Sequence, residues 1–199
     1  MTSTRVVPLA GASRPVRSLG WWGIWMVVLT EGAFFAFLLF SYFYTGSLAR
    51  GAWPPHGNPE LTLTSVNTAI LLASSGVLWW GDRSLHKGHT RRLMIALAVT
   101  IVLGVVFLGV QGVEYSRKAF GPDADAYGSL FFTITGFHGA HVAVGIIMLA
   151  TTLVRAWRGH FAPTRRVGVT VTAIYWHFVD VVWLVVFTSL YVSPHLGVL

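Results

Sequence analysis

The stretch AYGSLFFTITGFHGAHVAVGIIMLATTLV, residues 126–154, runs for 29 residues without an Asp, Glu, Lys or Arg. A helix needs about 20 predominantly apolar residues to cross a hydrocarbon core, so this one is long enough. Four other stretches read the same way. Leu61 to Gly81 and Leu93 to Val113 are uncharged, Leu19 to about Tyr44 holds only Glu31, and Val167 to about Val192 holds only Asp180. These lengths predict an all-α polytopic membrane protein. Its domain is a bundle of five transmembrane helices over 19–199, with spans near 19–45, 62–82, 92–117, 127–157 and 167–192.

Composition points the same way. Hydrophobic residues make up 54% of the chain and charged residues only 11%, with nine tryptophans and thirteen phenylalanines. Soluble domains carry about a quarter charged residues, so this chain cannot cover itself with polar groups in water. The net charge of +7 lies in short clusters between apolar runs, which is a topology signal and not a patch for nucleic acid. There is no cysteine, which excludes disulfides, thiolate metal sites and cysteine nucleophiles.

The clusters predict an orientation. Residues 1–18 carry Arg5, Arg14 and Arg17, with no apolar stretch suited to a cleavable signal, and read as a short cytoplasmic tail. Asp82 to Arg92 holds four Lys/Arg, and Arg155 to Arg166 holds four more. The opposite side has only Arg50, Arg117 and Lys118. Positive residues favour the cytoplasmic side, which puts the N-terminus in the cytoplasm and the C-terminus outside. Trp21, Trp22, Trp79, Trp80 and Trp157 fall at span ends, as interfacial anchors do. Trp53-Pro54-Pro55 and Gly121-Pro122-Asp123 break the chain between spans. No internal repeat is visible, against an inverted-repeat transporter.

Polar residues inside the spans are the candidate functional groups. At 1.5 Å per residue Glu31 lies roughly 15–18 Å into the first span. His138, His141, His177 and Asp180 reach similar depth in the last two spans. Charge there is costly, so these groups are expected neutral, paired or beside water, facing protein or a cavity. His138 and His141 are three apart on one helix face, as are His177 and Asp180, and Gln111 and Glu114. Gly136, Gly139 and Gly145 near the histidine pair allow close helix approach, so a tightly packed, hydrogen-bonded junction is expected. Two uses of that junction stay open. One is interhelical hydrogen bonding, with His177 and Trp176 as local partners for Asp180. The other is ligation of a heme or metal by His138, His141 and His177, with Glu31 as a further ligand. Glu31 reads either as a protonated acid donating one hydrogen bond or as a proton-responsive or lipid-facing group. Arg155, Arg158 and His160 read either as positive-inside charge or as a phospholipid headgroup site.

Two long strings carry a resemblance: FFTITGFHGAHVAVG at 131–145 and YWHFVDVVW at 175–183. With TEGAFFAFLLFSYF at 30–43, WPP at 53–55, NTAILLASSG at 67–76 and QGVEY at 111–115, they resemble the cytochrome c oxidase subunit III family from the first span onward. The resemblance implies a five-helix bacterial form of a non-catalytic subunit, without catalytic or metal-ligating residues of its own, in a proton-pumping oxidase of aerobic respiration. The long form of the family has seven spans, so the first two are expected elsewhere, in some relatives fused to subunit I.

By the same resemblance the chain packs on subunit I, with subunit II as a further partner, and heme and copper reside on those partners. It supports proton uptake and complex stability and binds phospholipid in the bacterial cytoplasmic (inner) membrane. Motif matches imply a proton-related role for Glu31 and lipid contacts by Glu31, His141, Arg155, Arg158 and His160. Glu114, His138, His177 and Asp180 match the family's structural polar positions. Membership in a respiratory supercomplex is left open. Alternatives are subunit III of a quinol oxidase, an accessory protein of nitric oxide reductase, an independent heme-binding membrane cytochrome, and a proton-coupled transporter built around Glu31.

Overall fold

The structure, a computed structural model, describes residues 19–162 and 166–197. The tail expected over residues 1–18 lies outside the described residues. Five helices account for most of the rest: α1 Leu19–Leu48, α2 Leu61–His86, α3 Thr90–Arg117, α4 Ala126–Trp157 and α5 Val167–Phe187. A π-helical turn, Thr188–Val192, and a 3₁₀ turn, Ser193–Leu196, continue α5, so its apolar stretch runs on from Val167 to Leu196. All five are long and apolar enough to cross a membrane. Several helices outrun the apolar spans, because a helical ladder continues into the interface, where water solvates charged side chains. Thus α2 carries Asp82, Arg83 and His86 in its last two turns.

Two helix ends set the geometry of the Arg/Lys-rich end. Past α2 the amides of Gly88 and His89 return to Leu85 O and Ser84 O at 2.9 and 3.0 Å, with Gly88 at φ +83°. Past α4 the amides of Gly159 and His160 return to Ala156 O and Arg155 O, both at 3.0 Å, with Gly159 at φ +72°. The left-handed residue lets the chain turn back over its own last carbonyls, and only glycine takes that conformation without strain.

Helices α2, α3, α4 and α5 form a closed ring, each packed on the next and α5 back on α2. Helix α1 rests outside the ring against α4 and α5, and buries only Ile24, Phe35, Tyr42 and Gly46. The ring centre is aromatic, with Trp176, Trp183, Phe107, Phe131 and Tyr191 all fully buried. Lipid tails are as apolar as these side chains, so packing density and interhelical hydrogen bonds hold the ring, with little net hydrophobic drive. Helix α2 supplies several of these bonds. Its Ser74 hydroxyl accepts from Trp176 Nε1 and its Thr68 hydroxyl from Trp183 Nε1, each at 2.9 Å. Its Asn67 Nδ2 donates to Phe107 O at 3.2 Å.

Candidate functional site

The two histidines of α4 lie three residues apart and so about 60° apart around the helix. That angle divides their fates. His141 faces α1, where its Nε2 lies 3.1 Å from Glu31 Oε2, while its Nδ1 lies 2.7 Å from Phe137 O. A carbonyl only accepts, so Nδ1 carries a proton. Nε2 then either donates to a carboxylate, as imidazolium, or accepts from a protonated Glu31. Both arrangements place one proton between the groups and leave the pair with no net charge. This neutral pairing removes most of the cost of a mid-membrane carboxylate. The seam is not sealed: the Glu31 side chain is 36% exposed and that of His141 15%. In this chain Glu31 therefore faces protein on one side and the bundle's outer surface on the other.

His138 faces the ring centre instead. It is fully buried, with Trp183 at 4.7 Å between ring centroids and Phe107 edge-on at 5.8 Å. Neither ring nitrogen has a hydrogen-bond partner among the described residues. The expected interhelical hydrogen bond is absent there, and the Trp183 and Phe107 rings pack against the imidazole instead. The heme-ligand reading gains nothing from this geometry. His141 spends both nitrogens on protein, and aromatic rings crowd His138. Among the described residues no three His, Asp or Glu converge.

His177 and Asp180 do not bond each other directly, as their spacing suggested. Ser75 of α2 stands between them. His177 Nδ1 lies 2.8 Å from Ser75 Oγ, and the same hydroxyl donates to Asp180 Oδ2. A serine has one proton, so Nδ1–H donates to Ser75 and Ser75 relays to Asp180. Trp176, expected as a local partner of Asp180, bonds Ser74 instead.

Glu114, in the last turn of α3, sits in a dense cluster. Its Oε1 accepts from Tyr191 OH at 2.9 Å and pairs with Lys118 Nζ at 3.0 Å. Gln111 Nε2 reaches Oε2 at 3.3 Å, and the Thr64 hydroxyl lies at the same distance. The Lys118 ammonium also stands 4.8 Å from the Phe131 ring centre. Nearby, His56 of the α1–α2 connection stacks on Phe120 at 4.5 Å and pairs with Asp125 at 2.8 Å. Asp125 in turn caps α4 by accepting from the Gly128 amide at 2.7 Å.

Arg155, Arg158 and His160 are all exposed at the end of α4. The Arg155 guanidinium is held 5.4 Å from the Phe161 ring centre. All three belong to the short segment that closes α4, where the His160 amide returns to Arg155 O at 3.0 Å. Sequence reasoning missed Ser74, Ser75, Thr68, Lys118 and Tyr191, which supply the polar partners. The available signal was the pair Trp176 and Trp183, seven apart on α5, against the small hydroxyl residues Ser74 and Thr68, six apart on antiparallel α2.

Fold and site together define a class: a five-helix membrane protein whose in-membrane polar groups serve chiefly as contacts between helices. A family model described as cytochrome c oxidase subunit III matches residues 10–194. The chain is 41% identical over 179 residues to cytochrome c oxidase subunit 3 of Ornithorhynchus anatinus, covering 85% of this chain and 68% of that protein. The corresponding protein of Gallus gallus is 40% identical over 175 residues, covering 83% and 67%. That of Marchantia polymorpha is 38% identical over 177 residues, covering 85% and 67%. The chain belongs to the cytochrome c oxidase subunit III family.

Proposed function

We propose that this chain is the non-catalytic subunit III of a proton-pumping terminal cytochrome c oxidase in a bacterial cytoplasmic membrane. It packs on subunit I with subunit II alongside, and heme and copper reside on those partners. The charge asymmetry between its two ends supports a cytoplasmic N-terminus and an external C-terminus. Family membership carries the reading, and the commitment of the buried polar groups to helix contacts supports an accessory role. The Glu31–His141 pair, which holds one proton at a half-open seam, supports a part in proton supply. Arg155, Arg158 and His160 stand at the helix end as donors for a phospholipid headgroup.

Gentle purification of the complex from its native membrane tests the assignment. Co-isolation with heme- and copper-bearing subunits is the expected result, and heme lodged on this chain alone would overturn it. Glu31→Gln keeps the shape of the contact but cannot hold the shared proton. Its expected effect is a nearly unchanged initial rate of oxygen reduction with an altered decline during sustained turnover. Immediate and complete loss of activity would count against the supporting role.

A further inference from the structure

Helix α2 turns one face away from the ring, and that face changes character along its length. Leu72, Gly76, Trp79 and Arg83 follow at intervals of four, three and four, which places them on one line. Leu72 is 41% and Trp79 56% exposed, with Trp80 beside them at 45%. At Gly76 a β-carbon would meet nothing within 4 Å, so the line is notched there and open outward. Further along the same helix, from Trp79 onward, lies a surface depression of about 440 Å³ lined by Trp79, Asp82, Arg83, His86 and Lys87.

The charges around the depression sort into two groups. Arg166 donates to His86 Nδ1 at 2.6 Å, which leaves the His86 Nε2 proton directed at Asp82 Oδ2, 3.7 Å away. Asp82, His86 and Arg166 therefore answer one another. Arg83 and Lys87 have no carboxylate within ion-pairing distance among the described residues. The Arg83 guanidinium carbon lies 5.0 Å from the Trp79 ring centre, one turn earlier in the helix. That contact draws the cation back toward the spanning segment, to the level where tryptophans anchor in headgroups, instead of letting it extend into water. Two unneutralised cations thus sit above a notched apolar line that runs about 16 Å from Arg83 to Leu72.

We propose that this face of α2 is a binding site for one anionic phospholipid, its phosphate between Arg83 and Lys87 and an acyl chain along the Gly76 notch. The site is separate from the Arg155 cluster. Helices α2 and α4 stand diagonally in the ring, so the two basic groups face different walls. Charge complementarity favours a lipid over a partner helix, because a second helix would leave both cations unanswered at the interface.

The test counts bound phospholipids by native mass spectrometry on the intact complex purified from its own membrane. Arg83→Gln/Lys87→Gln and Gly76→Leu are each expected to remove the same single anionic lipid, with zwitterionic lipids unchanged. Arg83→Lys, which keeps the charge, is expected to retain it. Arg155→Gln/Arg158→Gln is expected to leave this lipid in place, which separates the site from the headgroup role proposed above. Because Gly76 faces open space, its variant should fold, and helical content checks that. An unchanged lipid inventory in both the charge and the notch variants would overturn the proposal. So would loss of a protein subunit from Gly76→Leu at constant lipid count, since the notch would then hold a helix.

Discussion

Gly104→Val and Gly145→Val are each expected to abolish accumulation of the folded chain, and both through the same residue, Trp176. A β-carbon at position 104 would lie 2.8 Å from Trp176 Cη2 and 3.2 Å from Ile146 Cγ1. One at position 145 would lie 2.8 and 2.9 Å from Trp176 Cε3 and Cζ3. The indole is thus clasped between α3 and α4 while its Nε1 is tied to Ser74 of α2, so it cannot swing aside to make room. Overfilling a packed core costs about 1–3 kcal/mol for modest additions, and a branched side chain against an immobile ring lies at or beyond the upper end. Alanine at either position is expected to destabilise measurably, and Trp176→Leu in the same chain should recover part of that loss. Membrane yield and thermal stability in detergent are the readouts. Wild-type behaviour of both valine variants would mean that Trp176 does not occupy this space.

Lys118→Met is expected to destabilise the chain by about 3–5 kcal/mol, the usual cost of leaving a buried charge without its partner. The side chains of Glu114 and Lys118 are 9% and 13% exposed, so water gives little help to either. Tyr191, Gln111 and Thr64 still aim donors at the carboxylate, but none of them supplies a positive charge. Glu114→Gln/Lys118→Met should be more stable than Lys118→Met alone, because the amide can keep the tyrosine bond without needing a counter-charge. A cavity of about 270 Å³ beside the pair, lined in part by His56, Glu60, Arg117 and Lys118, is the competing influence. If water or Arg117 entering from it replaces the ammonium, the single and double variants will unfold at the same temperature.

Much of the architecture was legible without coordinates. Hydropathy is carried residue by residue, so the number of helices and their order could be read along the chain. The same reading located Glu31, His138, His141, His177, Asp180 and Glu114 as polar groups within or at the ends of apolar segments. The strings at 131–145 and 175–183 were sufficient to point to the family that the comparisons then established.

Which group meets which could not be read that way. Spacing of three residues shows that two side chains share a face, but the face opposite belongs to another helix whose rotation and neighbours depend on packing. His177 and Asp180 were within reach of each other along α5, yet the ring brings Ser75 of α2 between them, from more than 100 positions earlier in sequence. His138 and His141 share a motif, yet one turns to Glu31 and the other to Trp183 and Phe107. Sequence by itself determined the five apolar lengths, the charge at each end and the presence of costly polar groups between them. Tertiary structure alone decided their partners. In a medium as apolar as the side chains, helices settle by close packing and by pairing polar groups across helices, and those pairings exist only in the assembled ring.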